Sequence, residues 1–296
     1  MIFNKYKYCS IVFILLFVSS FLFLFPQIVS AQVKMIQKGL TLSPLRSELN
    51  INPGTSLDGQ LTVTNSTSKA MVVNINAEEF SVINQQYDYA FTTESDVSKW
   101  ARFNPSEVNI PSGESKKVTY TIGVPLSSEP GGRYISLFAS TNTGLLNGGV
   151  ESKQRIASLV YITVLGDVTR AGNLVSLTSP WLITGDNNWN VAIQNTGSTH
   201  FRSRYNVQVK DLLWDGVAAS ESGESLILPG TIRSVSDKLP APKWPGIYKV
   251  VYNIGLGDTP AKIETRVLIY MPIWTTFSII TIATVLLYWF YSRRKK

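Results

Sequence analysis

Residues Lys117–Val124 read KVTYTIGV, and this short stretch decides the fold class. Apolar side chains alternate there with small or polar ones, at Val118, Tyr120, Ile122 and Val124. A period of two places the apolar side chains on one face of a β-strand, so that one face packs inward and the other meets water. This pattern is typical of a strand in an antiparallel sheet.

Similar runs lie on both sides of this stretch. Leu57–Asn65, Met71–Ala77, Tyr134–Ala139 and Ile156–Leu165 are further predicted strands. Turn signals rich in proline and glycine separate them, at 53–54, 111–113 and 130–132. Short strands at this spacing, with no good amphipathic helix among them, predict an antiparallel β-sandwich.

A second set of strands begins near Gly172. Its predicted strands are Leu174–Leu177, Asn188–Gln194, Tyr205–Leu212, Ser225–Leu228, Thr231–Ser236, Gly246–Ile254 and Ile263–Tyr270. The two sets share weak internal similarity, since Leu61–Asn65 and Val191–Asn195 both end in asparagine before a Ser/Thr-rich turn. The sequence therefore predicts an all-β protein of two tandem, abutting immunoglobulin-like sandwiches, at 38–168 and 169–270.

The C-terminus carries a long apolar run. Ile273–Tyr291 contains no charged residue, and a helix of this length is close to the thickness of a bilayer core. Four basic residues follow it, Arg293, Arg294, Lys295 and Lys296. Positive charge stays on the cytoplasmic side, so 292–296 is predicted to be an inner tail and the preceding chain to lie outside. We expect a single-pass type I protein of the cell membrane with an extracellular ectodomain.

The N-terminus resembles a secretory signal peptide over residues 1–31. Lys5 and Lys7 precede an apolar run at 11–25, and small residues near Ala31 offer a cleavage site. An uncleaved membrane anchor is the alternative. Cys9 is the only cysteine, which excludes a disulfide scaffold.

The net charge of the whole chain is +7, from 27 basic and 20 acidic residues. Two of the lysines fall in 1–31 and four basic residues fall in 292–296. Residues 32–271 are therefore nearly neutral, with 21 basic and 20 acidic side chains. The basic excess is explained by export and membrane orientation, which argues against a nucleic-acid partner.

Catalytic groups are scarce in the sequence. His200 is the only histidine, and it lies at the exit of a predicted turn without a nucleophile elbow. Acidic pairs occur at Glu78/Glu79, Glu94/Asp96 and Glu221/Glu224. The first pair would face opposite sides of a strand and the others lie in polar segments, so we expect no enzyme activity, metal site or cofactor.

Gln85–Phe91 reads QQYDYAF and is the most suggestive local stretch. Tyr87 and Tyr89 alternate, and Trp100 follows nearby. An exposed row of aromatic rings would stack on sugars or contact a protein, whereas the alternative is a strand whose aromatic face is core. Tyr87, Tyr89 and Trp100 are therefore the candidate ligand-binding residues.

The order of signal, two sandwiches, membrane helix and basic tail resembles the WxL-interacting proteins of Gram-positive bacterial surfaces. Local motifs add to the likeness: the strand 57–65, the segment from Ala77 to Tyr89, the stretch from Pro125 to Gly132, and the turn 195–200. The resemblance implies a peptidoglycan-binding first domain and a host- or partner-binding second domain.

Together these features favour a membrane-anchored, non-enzymatic surface protein. It would bind cell-wall glycan (peptidoglycan) or another surface protein through its immunoglobulin-like domains, in an adhesion role. The alternative is a structural or chaperone-like accessory subunit of a membrane or envelope complex. An exposed strand edge would be the means of pairing with a protein partner.

Overall fold

A computed structural model describes residues 39–141, 145–147, 150–152 and 154–294. The predicted signal peptide with Cys9 and the tail residues Lys295 and Lys296 lie outside the described residues. Over the described chain the protein is mostly β-strand and ends in one apolar helix. The prediction of an all-β protein with a single C-terminal helix is confirmed at this level.

The first sandwich is built from two facing sheets over residues 40–164. Its strands are β1 Leu40–Ser43, β2 Arg46–Ile51, β3 Ser56–Asn65, β4 Met71–Val82, β5 Tyr89–Thr92, β6 Ala101–Asn104, β7 Glu107–Ile110, β8 Ser115–Gly123, β9 Gly131–Thr141, β10 Leu145–Asn147, β11 Val150–Ser152 and β12 Arg155–Val164. One sheet has the order β1-β3-β8-β6, and the other β2-β12-β9-β4-β5, with β7 also on β4. β10 and β11 form a separate hairpin. This is the strand order of an immunoglobulin sandwich.

The second sandwich repeats the plan over residues 172–270. Its strands are β13 Gly172–Thr178, β14 Leu182–Ile183, β15 Asn187–Asn195, β16 Phe201–Asp211, β17 Val217–Ile227, β18 Ile232–Leu239, β19 Gly246–Leu256 and β20 Thr259–Tyr270. A three-stranded sheet, β13-β15-β18, faces a five-stranded sheet, β14-β20-β19-β16-β17.

The first strand of each sandwich changes sheets at a Ser-Pro pair. β1 runs antiparallel to β3, and after Pro44 the chain continues as β2, which is parallel to β12. β13 runs antiparallel to β15, and after Pro180 the chain continues as β14, which is parallel to β20. Proline has no N–H to donate to a strand ladder, so it suits the position at which the chain passes from one sheet to the other.

Alternation explains which side chains fill the two cores. Val118, Tyr120 and Ile122 of the opening stretch are buried in the first core, as their period of two predicts. The core of the second sandwich also includes Phe80 and Tyr161 of the first. The sandwiches are thus in direct contact.

The helix α1 spans Ile273–Arg294. It is long and apolar enough to cross a membrane, and none of its residues is buried against the sandwiches. Thr275 donates its backbone N–H to the carbonyl oxygen of Pro272, which closes the first turn. The helix continues three residues beyond the predicted end, through Ser292 and two arginines.

Candidate binding site

β17 is an 11-residue strand at the edge of the five-stranded sheet. It pairs with β16 from Phe201↔Ile227 to Lys210↔Val217, and in the described part of the chain no other strand joins its ladder. Over residues 217–225 its outer edge presents backbone N–H and C=O groups to which no described strand is paired, whereas the carbonyl of Leu226 accepts a hydrogen bond from Nη1 of Arg233 at 2.7 Å. An edge of this kind is a template for an added strand.

The side chains of β17 leave that edge accessible. The strand reads VAASESGESLI, so small residues dominate its centre. Ser222 accepts a hydrogen bond from Nδ2 of Asn206 at 2.7 Å on the exposed face, while Ala219 packs against the core. Gly223 lies beneath the ring of Tyr205 on the neighbouring strand.

β20 provides a second long edge, but a guarded one. β14 pairs with it only at Ile269 and Tyr270, so the preceding residues are open on that side. This part of β20 holds a proline and three charged side chains, Pro260, Lys262, Glu264 and Arg266. Proline and lysine are common means of preventing strand addition. β17 carries Glu221 and Glu224 but neither proline nor lysine, so it is the more receptive edge.

An ion-pair network connects β17 to the first sandwich. Arg202 on β16 bonds to both Glu224 on β17 and Glu48 on β2. Arg204 lies 3.6 Å from Glu224, from Nε to Oε2. The hydrogen bond to Glu48 is the main cause that raises the pKa of Arg202. The network ties the C-terminal part of the edge strand to β2.

Tyr87 lies at the junction of the two sandwiches. It is only 6% exposed, and its hydroxyl lies 2.7 Å from Oγ1 of Thr231 and accepts the backbone N–H of Leu228 at 2.8 Å. The guanidinium of Arg233 lies 4.3 Å from the centre of its ring. Burial raises the pKa of the Tyr87 phenol. Tyr87 thus ties the turn before β5 to the β17–β18 turn.

Tyr89 is packed within the same aromatic cluster. Its ring meets Phe80 edge-on at 5.4 Å, and its hydroxyl lies 3.5 Å from that of Tyr161. Tyr89 also packs against the core that contains Tyr87. The structure brings these two candidate residues together at the junction, where their rings contact protein.

Trp100 lies apart from them, in a groove of the first sandwich. It ends a 3₁₀ turn, Ser98–Trp100, and one side of its ring packs against the first core. The groove has a volume of about 800 Å³ and contains charged side chains of both signs, Lys99, Arg102, Arg133, Asp96 and Glu129. The predicted aromatic set is therefore divided between a junction and a groove.

His200 lies at the exit of the turn before β16, as predicted, and is buried at the junction. Its Nδ1 lies 3.4 Å from the hydroxyl of Tyr134 and 3.5 Å from that of Thr199. Burial lowers the pKa of His200 to about 4, and burial also raises the pKa of Tyr134. The imidazole is neutral at pH 7 and serves packing. Among the described residues no group of three or more His, Cys, Asp or Glu side chains is arranged to hold a metal.

The described basic residues of the tail continue α1. Arg293 and Arg294 form its last turn, and the Arg293 guanidinium lies 3.9 Å from the ring centre of Trp289. Cations at a helix C-terminus are favoured by the backbone dipole.

Sequence reasoning missed most of β17. It placed a strand only at 225–228, because the preceding Ala, Ser, Glu and Gly residues show no apolar alternation. A run of small polar residues opposite an alternating strand was the only available signal.

No protein-family model matches the sequence, and no curated protein matches it. Among solved structures, the class 5 fimbriae chaperone CfaA is 12% identical with a TM-score of 0.43, over 79% of this chain and 100% of that chain. The E. coli chaperone DraB is 15% identical with a TM-score of 0.35, over 78% and 96% of the respective chains.

A third similar structure is the CsuC-CsuE chaperone-tip adhesion subunit pre-assembly complex of Acinetobacter baumannii. It is 12% identical with a TM-score of 0.39, over 78% of this chain and 99% of that chain.

Proposed function

We propose that the protein is a membrane-anchored, non-enzymatic accessory protein that binds an extended segment of another envelope protein, in a chaperone-like role. The open edge of β17 is the observation that carries the proposal. Main-chain hydrogen bonds to an added strand would supply affinity, and the small side chains of β17 would admit many partner sequences.

The anchor and its orientation belong to the same proposal. α1 would cross the membrane as a single span, with Arg293 and Arg294 at the cytoplasmic side and both sandwiches outside. The sandwiches would act as two immunoglobulin-like domains, 38–168 and 169–270. Kinship with WxL-interacting proteins is proposed on the sequence motifs alone.

A proline scan of β17 tests the proposal. In an edge strand, successive backbone N–H groups point alternately to the neighbouring strand and outward. Ser220→Pro, Glu221→Pro and Ser222→Pro would therefore include both kinds of position. We expect proline at a position whose N–H points outward to leave the melting temperature unchanged. The same variant should abolish co-purification of the partner with the tagged full-length chain.

The matched control is β20, where the chain already holds Pro260. Thr265→Pro at an outward position of that edge should leave co-purification unchanged. The proposal fails if every folded β17 variant retains the partner, or if the wild-type chain retains none.

Glycan binding at Trp100 is a second candidate function. The observation that favours it is the groove itself, where Trp100 lies beside Lys99 and Arg102. An indole is suited to stacking on a sugar ring. The neighbouring charged side chains would then form hydrogen bonds with the hydroxyl and acidic groups of the sugar. Trp100→Ala should abolish retention on purified peptidoglycan, with Trp181→Ala as the control on the other sandwich. Equal retention by both variants would eliminate this candidate.

A further inference from the structure

The end of the second sandwich from which α1 leaves is ringed by exposed apolar side chains. We define this exit rim by six residues, Trp181, Leu182, Leu212, Leu213, Trp214 and Trp244, each of which is exposed. Of the five tryptophans that precede α1, the three exposed ones all belong to the rim. The two others, Trp100 and Trp189, are partly or fully buried.

Strand register places the rim at one level. Tyr270, the last residue of β20, lies opposite Gly246 of β19 and Ile183 of β14. Asp211, the last residue of β16, lies opposite Tyr248, two residues along β19. The β16–β17 turn and the segment before β19 therefore project from the same end of the five-stranded sheet, and Trp181 and Leu182 flank the last residues of β20 at that end.

The first sandwich contacts the other end. Gly132 donates its backbone N–H to the carbonyl of Ser198 at 2.9 Å, and Tyr87 bonds to Thr231. Ser198 and Thr231 lie beyond the opposite ends of strands such as β19, whose 11 residues span about 36 Å. The rim is thus free of the first sandwich.

The chain is held to the sheet until just before α1. Met271 donates its backbone N–H to the carbonyl of Ile183 at 2.9 Å, and α1 begins at Ile273. A rigid sheet that continues to within two residues of the span would hold the exit rim beside the point where the chain enters the bilayer.

Polar bonds fix the rim segments while their apolar side chains face outward. Oδ1 of Asp211 accepts the backbone N–H groups of Leu213 and Trp214 at 2.8 and 3.0 Å. Tyr248 donates its hydroxyl to the carbonyl of Trp244 at 2.7 Å. Leu213 and Trp214 are 83% and 84% exposed on this ordered turn. Their exposure is therefore a property of a defined conformation.

We infer that the exit rim is a membrane-contact surface, which inserts into the interfacial layer of the outer leaflet around the start of α1. Tryptophan prefers this layer, because its ring is apolar and its indole N–H remains hydrated. Leucine side chains on the same turn would reach the acyl boundary, as in interfacial anchors. The rim would fix the tilt of both sandwiches and thus the height of the β17 edge. This inference rests on the proposed membrane anchor.

Nitroxide accessibility in the full-length chain tests the inference. Leu213→Cys and Leu126→Cys would be made in a Cys9→Ser background, labelled, and reconstituted in vesicles of phosphatidylcholine and phosphatidylglycerol. Leu126 is the matched control, because it is 81% exposed and lies on the first sandwich. The ratio of oxygen accessibility to nickel accessibility is compared with that of a free spin label in buffer. In vesicles this ratio should be higher than the buffer value at position 213 and equal to it at position 126.

Alkaline carbonate extraction of the same vesicles separates the two possible failures. A chain that resists extraction but gives a water-like ratio at 213 overturns the rim and leaves the anchor standing. A chain that is extracted overturns both. Loss of access to oxygen and nickel alike at 213 would indicate a protein contact there, and would also overturn the inference.

Discussion

Two asparagines perform the same task in the two sandwiches. Nδ2 of Asn195 donates to the carbonyls of Thr199 and Ile227 at 2.9 and 2.8 Å, and its Oδ1 accepts the N–H of Gly197. Asn65 makes the corresponding bonds, to Lys69 and Ile110 among others, and both side chains are fully buried. The asparagine that ends each strand in the sequence repeat is therefore the residue that holds the following turn.

Asn195→Ala should lower the free energy of unfolding by about 2–3 kcal/mol, because buried carbonyl and N–H groups lose their partners. Asn190→Ala is the control, since that side chain donates to the hydroxyls of Ser234 and Ser236 at a more exposed site. We expect less than about 1 kcal/mol there. Urea titration of the full chain in detergent measures both, and equal losses would contradict the assigned role.

His200 makes the stability of the junction sensitive to acid. Its pKa is about 4 in the folded protein against an ordinary value of 6.5, so the unfolded chain binds the proton more tightly. The neutral imidazole contributes on the order of 3 kcal/mol to the free energy of unfolding. This contribution is complete above about pH 6.5 and is lost as the pH falls from about 6.5 to 4. His200→Gln should make the melting temperature less dependent on pH over that range. An unchanged pH profile would show that the imidazole does not titrate this way.

At the scale of elements, cross-strand packing determines where a strand requires glycine. Gly59 on β3 lies opposite Tyr120 on β8, and a Cβ atom at Gly59 would lie 2.2 Å from Cζ of that ring. The tyrosine ring thus covers the glycine, a pairing that also joins Gly223 to Tyr205.

Gly59→Ala should displace the Tyr120 ring and destabilise the protein by about 1–3 kcal/mol. Gly123→Ala is the matched control, because no atom lies within 4 Å of its Cβ position. That variant should be neutral or more stable by up to about 1 kcal/mol. Thermal unfolding of the two variants gives the comparison, and a neutral Gly59→Ala would show that the ring does not rest on the glycine.

Elements with an apolar period were predictable, and elements without one were not. β8 could be read directly, because alternate side chains of Lys117–Val124 face a core. β17 could not be read in this way, because its serine, glutamate and alanine residues do not alternate with large apolar ones. The strand proposed to bind a partner is thus one whose apolar pattern is confined to its last residues.

For the molecule as a whole, the mostly β fold and the single C-terminal helix followed from strand spacing and from one apolar run. The candidate site did not follow, since the distances between Tyr87, Tyr89 and Trp100 depend on how the sandwiches meet. Tyr87 faces the second sandwich across 144 residues of chain, at Thr231. Contacts of that kind leave no local pattern, and an aromatic residue at a junction resembles one on a binding face.

The central claim is that a partner adds a strand to β17, and site-specific photo-crosslinking tests it most directly. A photoreactive residue would replace Ser220 on β17 or, for comparison, Ile263 on the guarded β20 edge, in the full-length chain within its native membrane. We expect one discrete protein adduct from position 220, absent from the folded proline variants of β17, and none from position 263. No adduct at 220, or an adduct that forms only at 263, would contradict the account.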